Sequence, residues 1–160
     1  MRLWTTQLRL LEALSRSALD AEREAAESLQ HTLYYDGEYL DTALHAMHAY
    51  STQSFACLEA IIDFSYMMPR LLERHASTSA YMFVKTSKDE RIFRFESFQR
   101  SMASTRLVHA CTQYLARYRD SSCASTMLPR LAAVVHRIIV RASHVALFFS
   151  AKIRHVWDRV

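Results

Sequence analysis

Two groups of side chains in this sequence have residue types and spacing suited to chemistry. His45 and His48 stand three apart, with Asp41 one turn before His45. A helix would gather these two imidazoles and the carboxylate on one side. A zinc site needs three or four such ligands with settled geometry, and no further His or Cys at ligand spacing completes the set. The other reading is a pair of surface histidines on a polar helix face. The second group is Glu59 and Asp63, an i,i+4 carboxylate pair inside an otherwise apolar stretch. General acid–base work would need both in a cleft facing a substrate. An exposed acidic stripe, or ion pairs to Arg70 or Arg74, is the simpler expectation.

A third pattern is cationic. Arg106, Gln113 and Arg117 are spaced i, i+7, i+11, and Arg130, Arg137 and Arg141 follow the same rule. Lys152, His155 and Arg159 extend a basic strip toward the end of the chain. Helical spacing of this kind keeps side chains on one side, so neighbouring helices would present cationic ridges that contact phosphates without reading bases. A solvated face is the alternative, and the apolar neighbours of Arg137 suit a structural role for it. Residues 1–90 carry 8 Lys/Arg against 13 Asp/Glu, whereas residues 91–160 carry 12 against 3. Such asymmetry marks either a basic face for nucleic acid or an acidic partner, or two halves that attract each other.

The elements that must position these groups are helices. The chain has one glycine, two prolines and no asparagine, which leaves little for the tight turns a sheet requires. Phosphate-binding loops and nucleophile elbows need glycines this chain lacks. Apolar spacing of three and four predicts about eight helices, over 2–16, 20–35, 38–50, 54–76, 95–103, 105–119, 126–141 and 143–159. The stretch 77–94 reads as a loop in which Tyr81-Met82-Phe83-Val84 packs in extended form. Asp36-Gly37 breaks the chain, and Ser54, Ser104 or Thr105, and Thr126 are the expected caps. Ser143 would open the eighth helix, with Val145, Phe149, Ile153 and Val156 inward. Pro69 predicts a kink near Tyr66, and Pro129 would fall in a first turn where it is tolerated. The fold class is all-α, a single unit of antiparallel helix pairs, either a bundle or an α-solenoid.

Three widely spaced cysteines without a CxxC pair point to a reducing compartment rather than a disulfide frame or zinc site. No apolar run reaches the roughly 20 residues that span a bilayer, and the start lacks a signal-peptide core. A soluble, nuclear or cytosolic chain is expected, with no metal, no cofactor and no active site. The eighth helix, with Leu147, Phe148, Val156 and Trp157, is apolar around most of its circumference. A helix of that kind is central or covered, and a partner is one candidate cover.

Several steps in register resemble the N-terminal region of the Timeless family, especially its fungal members. These are Leu33-Tyr34-Tyr35-Asp36, Tyr50, Gln53-Ser54-Phe55, Leu58-Glu59, Leu72-Glu73 and Val84-Lys85-Thr86. Phe95-Glu96-Ser97-Phe98, Tyr114-Leu115 with Tyr118-Arg119-Asp120, His136-Arg137 and Leu147-Phe148-Phe149 continue the order, and Ala25-Glu27-Leu29-Gln30 precedes it. Where the family carries a long charged insertion, only Ser87-Lys88-Asp89-Glu90 stands here, and Pro69 enters a helix that normally has none. Family members are several times longer, so a fragment or short form is expected. The resemblance implies an armadillo- or HEAT-like solenoid segment and a non-catalytic, nuclear scaffold of the replication fork protection complex. It implies pairing with a small Tipin-like subunit, contact with the replicative helicase, and support of S-phase checkpoint signalling. Duplex DNA on the basic face is a compatible second reading, and a helical adaptor unrelated to replication is a third.

Overall fold

Asp36 ends one helix and begins the next. Its carboxylate accepts the backbone N–H of Glu38 at 2.9 Å and of Tyr39 at 3.4 Å, so a single residue makes the joint between the two helices. In the computed structural model, residues 2–50, 54–78, 81–149, 153, 156 and 157 are described. Seven α-helices and one hairpin appear among them: α1 (Arg2–Leu14), α2 (Asp20–Tyr35), α3 (Gly37–Met47), α4 (Phe55–Thr78), β1 (Phe83–Lys85), β2 (Glu90–Ile92), α5 (Phe95–Met102), α6 (Thr105–Arg117) and α7 (Ala124–His136). The molecule is mostly helical, as the missing turn residues predict.

The centre is α4. It is buried without a break from Ala60 through Ser65 and again from Met67 through Pro69, which is what a helix surrounded on all sides requires. It packs most extensively against α1 and α7, then against α6, α3 and α5. Phe64, Ile61, Ile62, Met68 and Leu72 are fully enclosed, each contributing about 1.5–3 kcal/mol by leaving water. Trp4 of α1 closes one side with its ring 5.5 Å from both Tyr39 and Phe64. Tyr114 of α6 stacks on Phe55 at 5.4 Å on another. Ser54 and Ser104 cap α4 and α6 as expected, through bonds to Cys57 and Leu107 N–H groups. The helix continues through Pro69 to Thr78.

The stretch expected as a loop over 77–94 contains a hairpin among its described residues. β1 and β2 pair antiparallel, Phe83 opposite Ile92, Val84 opposite Arg91 and Lys85 opposite Glu90. Met82 and Val84 turn inward while Tyr81 and Phe83 stay exposed, the alternation of a strand lying on a helical body. Gly37 explains how closely the hairpin lies. A Cβ there would sit 2.8 Å from the Lys85 carbonyl oxygen and 3.0 Å from Val84 Cγ1. The chain's one glycine therefore stands where backbone meets backbone.

Two boundaries differ from expectation around α7. The helix starts at Ala124, not Thr126, because Ser121 Oγ accepts the Cys123 N–H at 3.1 Å and turns the chain earlier. Thr126 instead donates to the Cys123 carbonyl within the first turn, which leaves Pro129 beyond that turn. At the other end the helix widens into one π-turn over Arg137–Arg141, closed by Ala142 N–H to the Arg137 carbonyl at 2.9 Å. Ser143 then takes φ 59°. This left-handed residue stops a helix rather than opening one, and the His144 N–H returns to the Ile138 carbonyl. The helix expected over 143–159 is therefore not continuous: Val145–Phe148 is a short 3-10 turn. Val145 and Phe149, expected inward, are 46% and 71% exposed.

Candidate functional site

The charged side chains of α1, α4 and α7 meet along one seam. Asp63 stands at mid-helix in α4 with its side chain 12% exposed, and receives Arg9 from α1 and Arg130 from α7. About two turns further on, Arg70 of α4 bonds Glu12 of α1, which also holds Arg16 at 2.7 Å. Arg70 donates to the Tyr66 hydroxyl at 3.1 Å and lies 5.0 Å from that ring, while Arg130 lies 5.9 Å from the same ring. Beyond them, Arg137 bonds Glu73 at 2.7 Å and covers Phe95 at 5.7 Å. An ion pair shut away from water contributes little by itself but is costly to break from one side.

This seam answers the question raised by the charge division. Arg130 and Arg137 come from the basic half, and Asp63 and Glu73 from the acidic half. Attraction between halves thus uses two of the arginines read as a cationic ridge. Arg137 is tied to Glu73 and to the Phe95 ring. The partners of the Glu59/Asp63 pair are not Arg70 or Arg74: Asp63 holds Arg9 and Arg130, and Glu59 accepts from the Ser121 hydroxyl.

The remaining cationic candidates are dispersed. Arg117 is exposed, bonds Asp120 at 3.2 Å and lies 4.9 Å from the Phe55 ring. Arg106, in the first turn of α6, and Arg141, at the end of the π-turn, are exposed and have no carboxylate partner among the described residues. Lys152 and Arg159 lie outside the described residues. A signal overlooked in the sequence is the Arg91/Arg94 pair, which flanks a groove of about 330 Å³ between α3, the hairpin and α5.

The candidate apolar surface is partly covered by the chain itself. Leu147, Phe148, Val156 and Trp157 are half-buried and pack against the core. Trp157 Nε1 donates to Thr112 Oγ1 at 3.2 Å, and the Phe148 ring meets the Trp157 ring edge-on at 5.7 Å. Among the described residues, the large apolar side chains exposed at this end are Val140, Val145 and Phe149.

The histidine group resolves into local bonds. His45 Nδ1 donates to the Asp41 carbonyl at 2.8 Å and His48 Nε2 to the Met102 carbonyl at 3.1 Å. Among the described residues no cluster of three or more His, Cys, Asp or Glu can hold a metal ion. Burial pushes the Cys111 thiol up to about 12, far from a nucleophile's range. No described helix is long and apolar enough to cross a membrane.

Similarity to known proteins covers almost the whole chain. No family model matches it. It is 26% identical over 202 residues to Topoisomerase 1-associated factor 1 of Cryptococcus neoformans, covering 98% of this chain and 19% of that protein. Proteins of the same name from Phaeosphaeria nodorum and Emericella nidulans are 30% and 31% identical over 91 and 86 residues, 57% and 54% of this chain. The Cryptococcus match is longer than this chain's 160 residues, so that protein carries additional residues within the matched stretch. The chain spans under a fifth of the length of these relatives.

Proposed function

We propose that this chain is a segment of a Timeless-family protein: a non-catalytic helical scaffold of the replication fork protection complex in the nucleus. Topoisomerase 1-associated factor 1 is the fungal member of that family. The observation that carries the reading is the alignment over 98% of the chain. In this reading the segment belongs to an armadillo- or HEAT-like solenoid of a longer parent and pairs with a Tipin-like subunit and with replicative helicase components in support of checkpoint signalling. The site supports a binding role over a catalytic one, because Glu59 and Asp63, the carboxylates placed for acid–base work, are held by Ser121, Arg9 and Arg130. The hairpin tip at Ser87-Lys88 suits the family's charged insertion, since residues added there leave the paired strands intact.

The test is affinity capture of the tagged chain from replicating fungal cells, with proteins identified by mass spectrometry. Recovery of a Tipin-like subunit with helicase subunits is the expected result. A folded chain that recovers neither would overturn the proposal. Duplex contact through the exposed Arg106 and Arg141 is a second reading. It requires affinity that falls steeply with salt, and binding indifferent to salt would contradict it.

A further inference from the structure

The hairpin carries apolar side chains that the fold leaves uncovered. Phe83 and Ile92 stand opposite each other in the ladder, 46% and 54% exposed, and Tyr81, two residues before Phe83, is 71% exposed. Single exposed apolar residues are ordinary, but a cross-strand pair with an aromatic neighbour forms a patch, and patches mark contact surfaces.

The hairpin also has an open edge. The Phe93 N–H donates to the Met82 carbonyl at 2.7 Å and the Thr86 N–H to the Asp89 carbonyl at 2.8 Å. Bonded pairs alternate along an antiparallel ladder, so Val84 and Arg91 form the rung between these two. Glu90 and Ile92 then direct their N–H and C=O groups away from β1, where no backbone partner meets them among the described residues. Asp36 meets the far side of β1 at Lys85. A further strand can therefore add on β2.

The charges beside this edge say what that strand must carry. Arg91 and Arg94 are exposed, border the groove between α3, the hairpin and α5, and have no carboxylate partner among the described residues. Three acids lie nearby. Asp41 lines the same groove, Asp89 accepts from the Thr86 hydroxyl and Glu90 from the Tyr35 hydroxyl. A nucleic acid brings a negative charge at every step, so it would meet these acids as well as the arginines. Its phosphates also offer no donors to the outward carbonyls. An extended peptide satisfies both N–H and C=O groups of the edge and sets carboxylates only where the arginines stand. A second copy of β2 brings the same cations, and pairing centred on Arg91 would set like charges directly opposite each other.

We propose that β2 accepts an extended acidic segment of a partner protein as a third strand, with an apolar residue opposite Ile92 and carboxylates at Arg91 and Arg94. This deepens the scaffold reading by giving the chemistry of one partner segment. It is tested on the purified chain with a peptide, so its failure leaves the capture experiment untouched.

The isotope-labelled full 160-residue chain is titrated with the blocked peptide Glu-Thr-Val-Glu-Thr and followed by NMR at its backbone amides. The comparison ligands are the same peptide with Lys in place of Glu, a form N-methylated at its valine, and a short single-stranded DNA. The acidic peptide should shift the Glu90 and Ile92 amide signals and slow their hydrogen exchange. The Lys peptide, which brings like charge to the arginines, and the N-methylated form, which lacks an edge-facing donor, should each bind about tenfold more weakly. Arg91→Glu should weaken the acidic peptide by a similar factor. Arg91 has no ion pair to lose, so the melting temperature of that variant should stay within a few degrees. Silence of the Glu90 and Ile92 amides overturns the proposal, as does equal binding by the Lys peptide, the N-methylated form or Arg91→Glu. Binding of the DNA in place of the peptide would assign these cations to nucleic acid and likewise overturn it.

Discussion

Arg130 of α7 and Asp63 of α4, 67 residues apart in the chain, form an ion pair across the two most heavily packed helices of the molecule. Arg9 reaches the same carboxylate from α1, so one acidic side chain ties three helices together. Removing Asp63 leaves two guanidinium groups facing each other, while removing Arg130 leaves Asp63 still paired. Asp63→Ala should therefore cost about 2–4 kcal/mol and Arg130→Ala about 1 kcal/mol. Urea unfolding of both variants and the double mutant checks this. Equal costs would mean that Arg9 does not share the carboxylate.

Gly37→Ala sets two effects against each other. Alanine at a helix start ordinarily favours the helix by up to about 1 kcal/mol over glycine. Here the added Cβ meets the Lys85 carbonyl at 2.8 Å, a backbone atom that yields only if the hairpin moves. A net loss of about 1–3 kcal/mol is expected. Gain of stability on denaturation would show that the hairpin is not seated on α3.

Ser143 offers the opposite case. Its φ of 59° is a conformation that costs an L-residue about 1–2 kcal/mol and glycine almost nothing. Allowing for glycine's greater freedom when unfolded, Ser143→Gly should stabilise the chain by about 0.5–1 kcal/mol and Ser143→Val should destabilise it. Thermal melts of both variants decide the matter, and a destabilising glycine would contradict the helix stop at this residue.

Much of this was legible in the sequence, for identifiable reasons. Asp36, Ser54 and Ser104 announce helix starts through local chemistry, and apolar spacing of three and four locates the helices between them. What failed was non-local. Asp63 reads as a polar position on a half-exposed helix until Arg9 and Arg130, 54 and 67 residues away, allow it to be buried. The central place of α4 was hidden for the same reason, and the late apolar segment looked central in its stead. Strands of three residues are too short to show a period. Ser143 carries a capping side chain, and nothing in its letter distinguishes opening a helix from closing one.

His75 makes stability depend on pH. Burial first, and then the nearby His31, lower its pKa below 6.5, while Glu27 opposes them; its ring also lies 5.2 Å from that of Tyr34. The folded state thus binds fewer protons here than the unfolded state, so this contribution favours folding at higher pH and is lost as pH falls through about 6.5. His75→Gln should flatten the decline between about pH 7 and 5 in denaturation midpoints. A variant that declines as steeply as the parent would assign the effect to other groups.

The proposed scaffold role requires that this helical segment bind a partner of the fork protection complex. Mixing the purified chain with a purified fungal Tipin-like subunit and measuring the mass of the eluting species by light scattering tests it most directly. A one-to-one complex that survives dilution to micromolar concentration is the predicted result. Two separate species, from a chain whose circular dichroism shows it helical, would contradict it.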